Sequence, residues 1–341
     1  MSEPQANVMP AQDSQRSQWW KVKYLLPLIV AVVVLSTHFI FYKNFLFCSD
    51  GPCSPFTVSD IAAGIAPVDQ TKFAAYIARA SWTLINGVHV LACILAIVTA
   101  SIIIYRALAA DYEDGKMRWV IVGTVILLAA DAALIVALWT AEKDANSPAQ
   151  QLLRATVGQA LVLPGINKFN RWGDVLGLTG TLCLALAACA TVWRRDVNSE
   201  LDADKVAMRV RLLRPVLYVG ALMLVIAVLR LSANHAWAVT FLPADTDLGK
   251  AVAGFTKGII GTLGTVFTLL IAGIYLPAAL MLQARVRTVA ATQPNPDDFI
   301  KNNGINLSMP ATLGRAIVLI SPFLAGPLGE RLVEAAKTLG G

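Results

Sequence analysis

Four ionisable side chains stand inside stretches otherwise fit only for hydrocarbon: Asp131, in the run LLAADAALIV, and Arg230, His38 and His89. His235 follows just past the segment that holds Arg230. An acid and a guanidinium in such surroundings have two uses. They neutralise each other as a structural ion pair, or they line a path for ions or protons. Two histidines on different helices could instead hold a haem iron from both axial sides. Asn86 and His89, three residues apart, share one helix face and suit hydrogen bonding between helices.

Whether these groups meet depends on the elements that carry them. The chain has 341 residues, 56% hydrophobic and 15% charged, with a mean hydropathy of +0.61. Soluble domains are closer to a quarter charged. Six apolar segments, at about 24–41, 82–105, 119–139, 173–193, 215–231 and 258–282, approach the roughly 20 residues that a membrane-crossing helix needs. The expected fold is therefore an all-α polytopic membrane protein. The first segment is too long, begins too late and lacks the small-residue cleavage site of a signal peptide.

Basic residues set the expected orientation. With residues 1–18 a disordered cytoplasmic segment, the inner stretches hold 18 of the 28 Lys and Arg and the outer loops hold 9, which favours the side richer in Lys and Arg as the cytoplasm. Arg194, Arg195, Lys205, Arg209, Arg211 and Arg214 form the strongest inner marker. Six crossings leave both termini inside, and the composition suits a bacterial inner membrane. The net charge of +6 needs no nucleic acid, because basic loops facing anionic lipid account for it.

On this frame, depths follow from the helical rise. Asp131 lies about 20 Å in from its inner boundary, Arg230 about 24 Å, His38 about 22 Å and His89 about 26 Å. All four share one layer, so an Asp131–Arg230 pair joining the third and fifth segments is the first expectation. A lone charge there costs about 2.5–3.5 kcal/mol on insertion scales, and a facing partner offsets much of that.

The fourth and sixth segments share a pattern, G-x3-G-x2-G-T-L, at Gly173, Gly177 and Gly180 and at Gly254, Gly258 and Gly261. Such spacing makes a smooth strip on which another helix packs closely. Three outer stretches each carry a proline followed by an amphipathic run: APVDQTKFAAYIARA, SPAQQLLRATVGQA and LPADTDLGKAVAGF. Together these features suggest three parallel helical hairpins, each with a short outer amphipathic helix before its return span. Cys48 and Cys53 flank the turn CSDGPC and are expected to form a disulfide if that side is oxidising. Cys93, Cys183 and Cys189 read as small apolar packers.

Residues 284–341 form an inner tail. Its apolar stretch, 317–328, is too short to span and contains Pro322 and Pro327. It is expected to lie on the membrane, dip into it, or dock on a partner or on its own bundle.

No phosphate-binding loop, dinucleotide fingerprint, HExxH, GxSxG or CxxC motif occurs, so nothing argues for an enzyme. No scattered histidine set has metal-site spacing, and no cofactor is expected beyond the haem alternative. Short outer loops and large packing surfaces favour a non-catalytic scaffold or accessory subunit of a larger assembly. Its partners would be the lipid bilayer and either another membrane protein or further copies of itself. The rival is a small oligomeric channel or transporter using Asp131, Arg230 and His89. A haem-binding redox subunit comes third.

Overall fold

The structure, a computed structural model, describes residues 23–41, 68–109, 166–193, 202–243, 245–302 and 317–325. No strand occurs among the described residues. A single 3-10 turn, Lys23–Leu25, leads into α1 (Leu26–Phe41). Then come α2 (Val68–Ala109), α3 (Ile166–Val192), α4 (Ala203–Val239), α5 (Asp247–Ala291) and the short α6 (Pro296–Asn302). A final helix, α7, covers 317–325. Four of these are long and apolar enough to cross a membrane, over Tyr76–Ala109, Trp172–Val192, Ala203–Val239 and Asp247–Ala291. That points to a membrane protein. The third apolar segment with Asp131, residues 1–18, and Cys48 with Cys53 lie outside the described residues, as does the side chain of His38.

The amphipathic stretches expected as separate outer helices are continuous with their spans where they are described. Residues 68–80 open α2, a single helix of 42 residues, and residues 247–255 open α5, one of 45. No proline interrupts either junction, and the glycines of α5 weaken a helix without breaking it. Pro215 and Pro277 lie inside α4 and α5. Each removes one backbone hydrogen bond, a loss that packed membrane helices tolerate.

The helices pack through small side chains. Ala96, Ala100, Ala185, Ala187, Ala188 and Ala278 are fully buried, with Cys93 and Cys183 among them. Small residues let helix backbones approach closely, and lipid supplies no hydrophobic drive between helices, so this contact must come from fit. α2 packs chiefly on α3 and α4, α4 on α5, and α1 on α5 and α3.

The bundle has two dissimilar ends. At the turn end, residues 240–246 join α4 to α5, and Thr246 caps α5 by accepting the Gly249 N–H at 3.1 Å. A side chain at Gly249 would collide with the Pro243 carbonyl oxygen. At the base end, Asp202 caps α4, accepting the Asp204 N–H at 3.0 Å. There two arginines finish α3: Arg285 Nη2 donates to the Val192 carbonyl at 2.6 Å, and Arg209 donates to that of Trp193. Cations suit a helix C-terminus, where carbonyls lack intrahelical partners. α6 packs at this end too, with Phe299 and Ile300 against Val206, Ala207, Val286 and Val289.

Candidate functional site

Three helix faces converge toward the turn end, each bearing polar residues at helical spacing. α2 presents Trp82, Asn86, His89 and Cys93; α3 presents Asn170, Asp174 and Gly177; α4 presents Arg230, Asn234 and Trp237. Spacings of three and four residues keep each set on one side of its helix.

Arg230 is the centre. Its side chain is 7% exposed and meets Asp174 in a 2.5 Å ion pair through Nη1. Its Nε donates to Asn86 Oδ1 at 2.8 Å. Its Nη2 donates to the Asn170 carbonyl at 2.6 Å and lies 3.4 Å from Asn170 Oδ1. The Asn86 amide is held in turn, since its Nδ2 donates to the Trp82 carbonyl at 2.8 Å. That bond aims Oδ1 at the guanidinium. All three nitrogens of the Arg230 fork thus engage this chain, and the bonds tie α2, α3 and α4 together.

The glycines of α3 make room for this. A Cβ at Gly173 would stand 2.8 Å from Arg230 Cζ. One at Gly177 would stand 3.4 Å from His89 Nε2, and one at Gly180 would stand 2.9 Å from Met223 Sδ. The strip is a bed for side chains of α2 and α4 more than a seam between bare backbones.

His89 Nε2 lies 3.2 Å from the Gly173 carbonyl and 3.6 Å from Cys93 Sγ. A carbonyl only accepts, so Nε2 carries the hydrogen and Nδ1 keeps the lone pair. His235 resolves in the opposite sense. The Thr256 hydroxyl donates to the Val252 carbonyl at 2.8 Å and lies 3.4 Å from His235 Nδ1. Its hydrogen being used, it accepts from Nδ1–H, and Nε2 of His235 keeps the lone pair. His89 Nδ1, His235 Nε2, Asn170 Nδ2 and Trp237 Nε1 are buried with no hydrogen-bond partner among the described residues. Nearby, Trp82 Nε1 donates to Asn234 Oδ1, and the Trp82 and Trp237 rings stand 5.0 Å apart at 48°.

The structure therefore brings together Arg230, Asn86 and His89 of the residues singled out from the sequence. His235 is buried on the same helix as Arg230 but bonds to α5. Asp131 lies outside the described residues, as do Cys48, Cys53 and the His38 side chain, and the carboxylate found on Arg230 is Asp174. Sequence reasoning misses Asp174, Asn170, Trp82 and Asn234. Asp174 and Asn170 fall at the edge of an apolar segment, where a polar residue draws no notice. The signal that finds them is the three- and four-residue spacing of polar groups on each face, taken across all three helices.

Among the described residues no cluster of three His, Cys, Asp or Glu side chains gathers to hold a metal ion. Comparison with protein-family models, with curated proteins and with solved structures gives no match.

Proposed function

We propose that the chain is a non-catalytic integral membrane subunit, a scaffold or accessory component of a larger assembly. In this reading it makes six crossings of a bacterial inner membrane, arranged as three parallel hairpins. The observation that carries it is the engagement of Arg230. An arginine that binds a ligand or stabilises a moving ion presents an open fork to it. Here Nε, Nη1 and Nη2 all bond to groups of α2 and α3. A buried pair of this kind adds little net stability over a hydrocarbon replacement, but it penalises every misaligned register. We read it as a clasp that sets three helices in place, leaving the outer faces of the bundle for partners. Leu84, Leu91 and Leu95 on α2 and Leu269, Leu276 and Leu280 on α5 are all exposed apolar residues.

Native mass spectrometry after gentle extraction from the native membrane tests this. Unlike subunits at fixed stoichiometry are expected. A pure homo-oligomer would overturn the accessory role.

One observation favours transport as the second reading. Asp174 is 35% exposed while its partner is buried, and Asn170 on the same helix has an unsatisfied amide nitrogen. A carboxylate that is partly exposed and bonded to a buried cation suits an ion path. In that case Asp174→Asn abolishes flux in proteoliposomes while leaving the oligomer intact.

A further inference from the structure

The margin of the bundle at its base end carries an inference about lipid. It goes beyond the proposed role and leaves the leucine face of α2 to a protein partner. The starting point is the seam between α4 and α5, where Val206, Ala207 and Val210 pack with Val286 and Val289. An α-helix turns by about 100° per residue. Arg209 and Arg211 therefore stand to either side of Val210, and Arg285 and Arg287 to either side of Val286. One of each pair is engaged inside the bundle: Arg209 and Arg285 turn toward α3 and donate to the carbonyls of Trp193 and Val192. Arg211 and Arg287 then lie on the opposite flank of the seam, away from α3, and both are exposed. Arg214, half-buried, stands on the same side of α4.

Deeper in the bundle this flank is apolar. Residues seven apart share a helix face. Tyr218 stands seven residues past Arg211, with Leu222 one turn further. Leu280 stands seven residues before Arg287, with Leu276 one turn further. All four are exposed. Two antiparallel helices thus give the outside of one seam the same order of groups. Exposed apolar side chains come first, and an exposed guanidinium follows about 10 Å nearer the base. The headgroup layer adds about 5–8 Å to each side of the hydrocarbon, and arginine extends its charged end toward water from the depth of its backbone. Both guanidinia are therefore set at the level of lipid phosphates. The acids of this end stand elsewhere: Asp202 and Asp204 further out on α4, Asp297 and Asp298 in the first turn of α6. No acid occurs from Arg211 to Leu222 or from Leu276 to Arg287.

We propose that the outer seam of α4 and α5 binds an anionic phospholipid at the base end. Arg211 and Arg287 hold its phosphate, and its acyl chains lie along Tyr218, Leu222, Leu276 and Leu280. Arginine presents a planar fork that matches phosphate with two hydrogen bonds, and basic pockets between membrane helices bind such head groups. Each basic residue near an anionic surface is worth about a fivefold preference, so two give about 25-fold over a lipid without net charge.

The test is native mass spectrometry of the full chain released from nanodiscs of equal phosphatidylglycerol and phosphatidylcholine. The retained lipid is expected to favour phosphatidylglycerol by about 25-fold. Arg211→Gln and Arg287→Gln should each lower that ratio about fivefold, and the double variant should bring it close to one. Arg106→Gln is the control. Arg106 is exposed in the last turn of α2, a helix that is not part of the seam, and its loss should leave the ratio in place. A ratio near one in the unaltered chain overturns the proposal. An equal loss on Arg106→Gln does so too, since the preference would then belong to the whole basic margin. Excess inorganic phosphate is expected to leave the lipid bound; displacement by phosphate alone would make this a site for a free anion. A second measurement needs no substitution. Phosphatidylglycerol with a photoreactive acyl chain is expected to cross-link to the peptides bearing Tyr218 and Leu280 more than its phosphatidylcholine counterpart does. Equal labelling by the two would end the proposal.

Discussion

Two glycine runs with the same spacing meet opposite circumstances. On α3, Gly173 and Gly180 are buried, and Arg230, His89 and Met223 fill the space above the strip. On α5, Gly254 and Gly258 are exposed, and nothing among the described residues comes within 4 Å of where a Cβ would be. Other glycines of α5 are in close contact: Gly264 lies beneath the tail, and Gly273 lies against Val30 of α1. A small-residue pattern therefore shows where close approach is possible, and the identity of what approaches decides what the strip is for. On α3 the occupant is a cation with its own hydrogen-bond set, which turns a packing surface into a specific clasp.

The most forceful way to break this difference is to remove one side of the clasp. Asp174→Leu leaves the Arg230 guanidinium buried without its counter-charge. Loss of one partner from a buried pair costs about 3–5 kcal/mol. The lower end is expected here, because Asn86 and Asn170 keep their bonds and Asp174 is only partly buried. The double variant Arg230→Met/Asp174→Leu should recover most of that stability, since hydrocarbon replaces a buried pair with little loss. Equilibrium unfolding in mixed micelles measures both. If the double variant is no more stable than Asp174→Leu alone, the two residues are not coupled.

The second break acts through the strip. Gly173→Ala puts a methyl 2.8 Å from Arg230 Cζ, and the guanidinium cannot retreat without releasing Asn86 or Asp174. Overpacking of this kind costs about 1–3 kcal/mol. Gly177→Ala meets His89 at an ordinary contact distance of 3.4 Å and should cost clearly less under the same assay. Equal effects at the two positions would mean that the cation does not set the fit.

Much of this architecture is legible in the sequence, and the exceptions have physical reasons. The apolar segments that form α2 to α5 stand out because a membrane-crossing helix has to be apolar over a set length. Where those helices begin is not legible. An amphipathic run such as KFAAYIARA reads equally well as a separate surface helix or as the first turns of a longer one, and only packing decides. Arg230 stands out because a charge in hydrocarbon is conspicuous. Its partner does not, because Asp174 lies where polar residues are ordinary. Depth arithmetic alone matches Arg230 with any acid in its layer; the face on which each residue lies is the further constraint that selects Asn86, Asn170 and Asp174 together. The apolar stretch of the tail reads as too short to span. Its length cannot show that Gly264 and Thr268 provide a seat for it within the bundle.

A third test concerns the edge of the clasp. Trp82→Phe keeps the ring packed near Trp237 but removes the donor to Asn234. Hydrogen bonds between membrane helices average about 0.6 kcal/mol. A loss of that order is expected, well below the cost of Asp174→Leu. A loss as large as that of Asp174→Leu would make the Trp82–Asn234 bond part of the clasp rather than its neighbour.

The smallest effect is expected on the bare strip of α5, and for that reason it bears most directly on the contrast between the two glycine runs. Gly258→Ala adds a methyl to an exposed position with no described neighbour within 4 Å. Substitutions on an exposed surface usually change stability by less than about 0.5 kcal/mol. The change should leave the unfolding midpoint of the isolated protein in place. The informative readout is the assembly extracted from the native membrane. If the accessory reading holds and a partner helix seats on this strip, Gly258→Leu should reduce recovery of unlike subunits while the stability of the isolated chain stays level. If instead Gly258→Ala lowers that stability as much as Gly173→Ala does, the strip on α5 is a packed surface of the chain itself, and the contrast disappears.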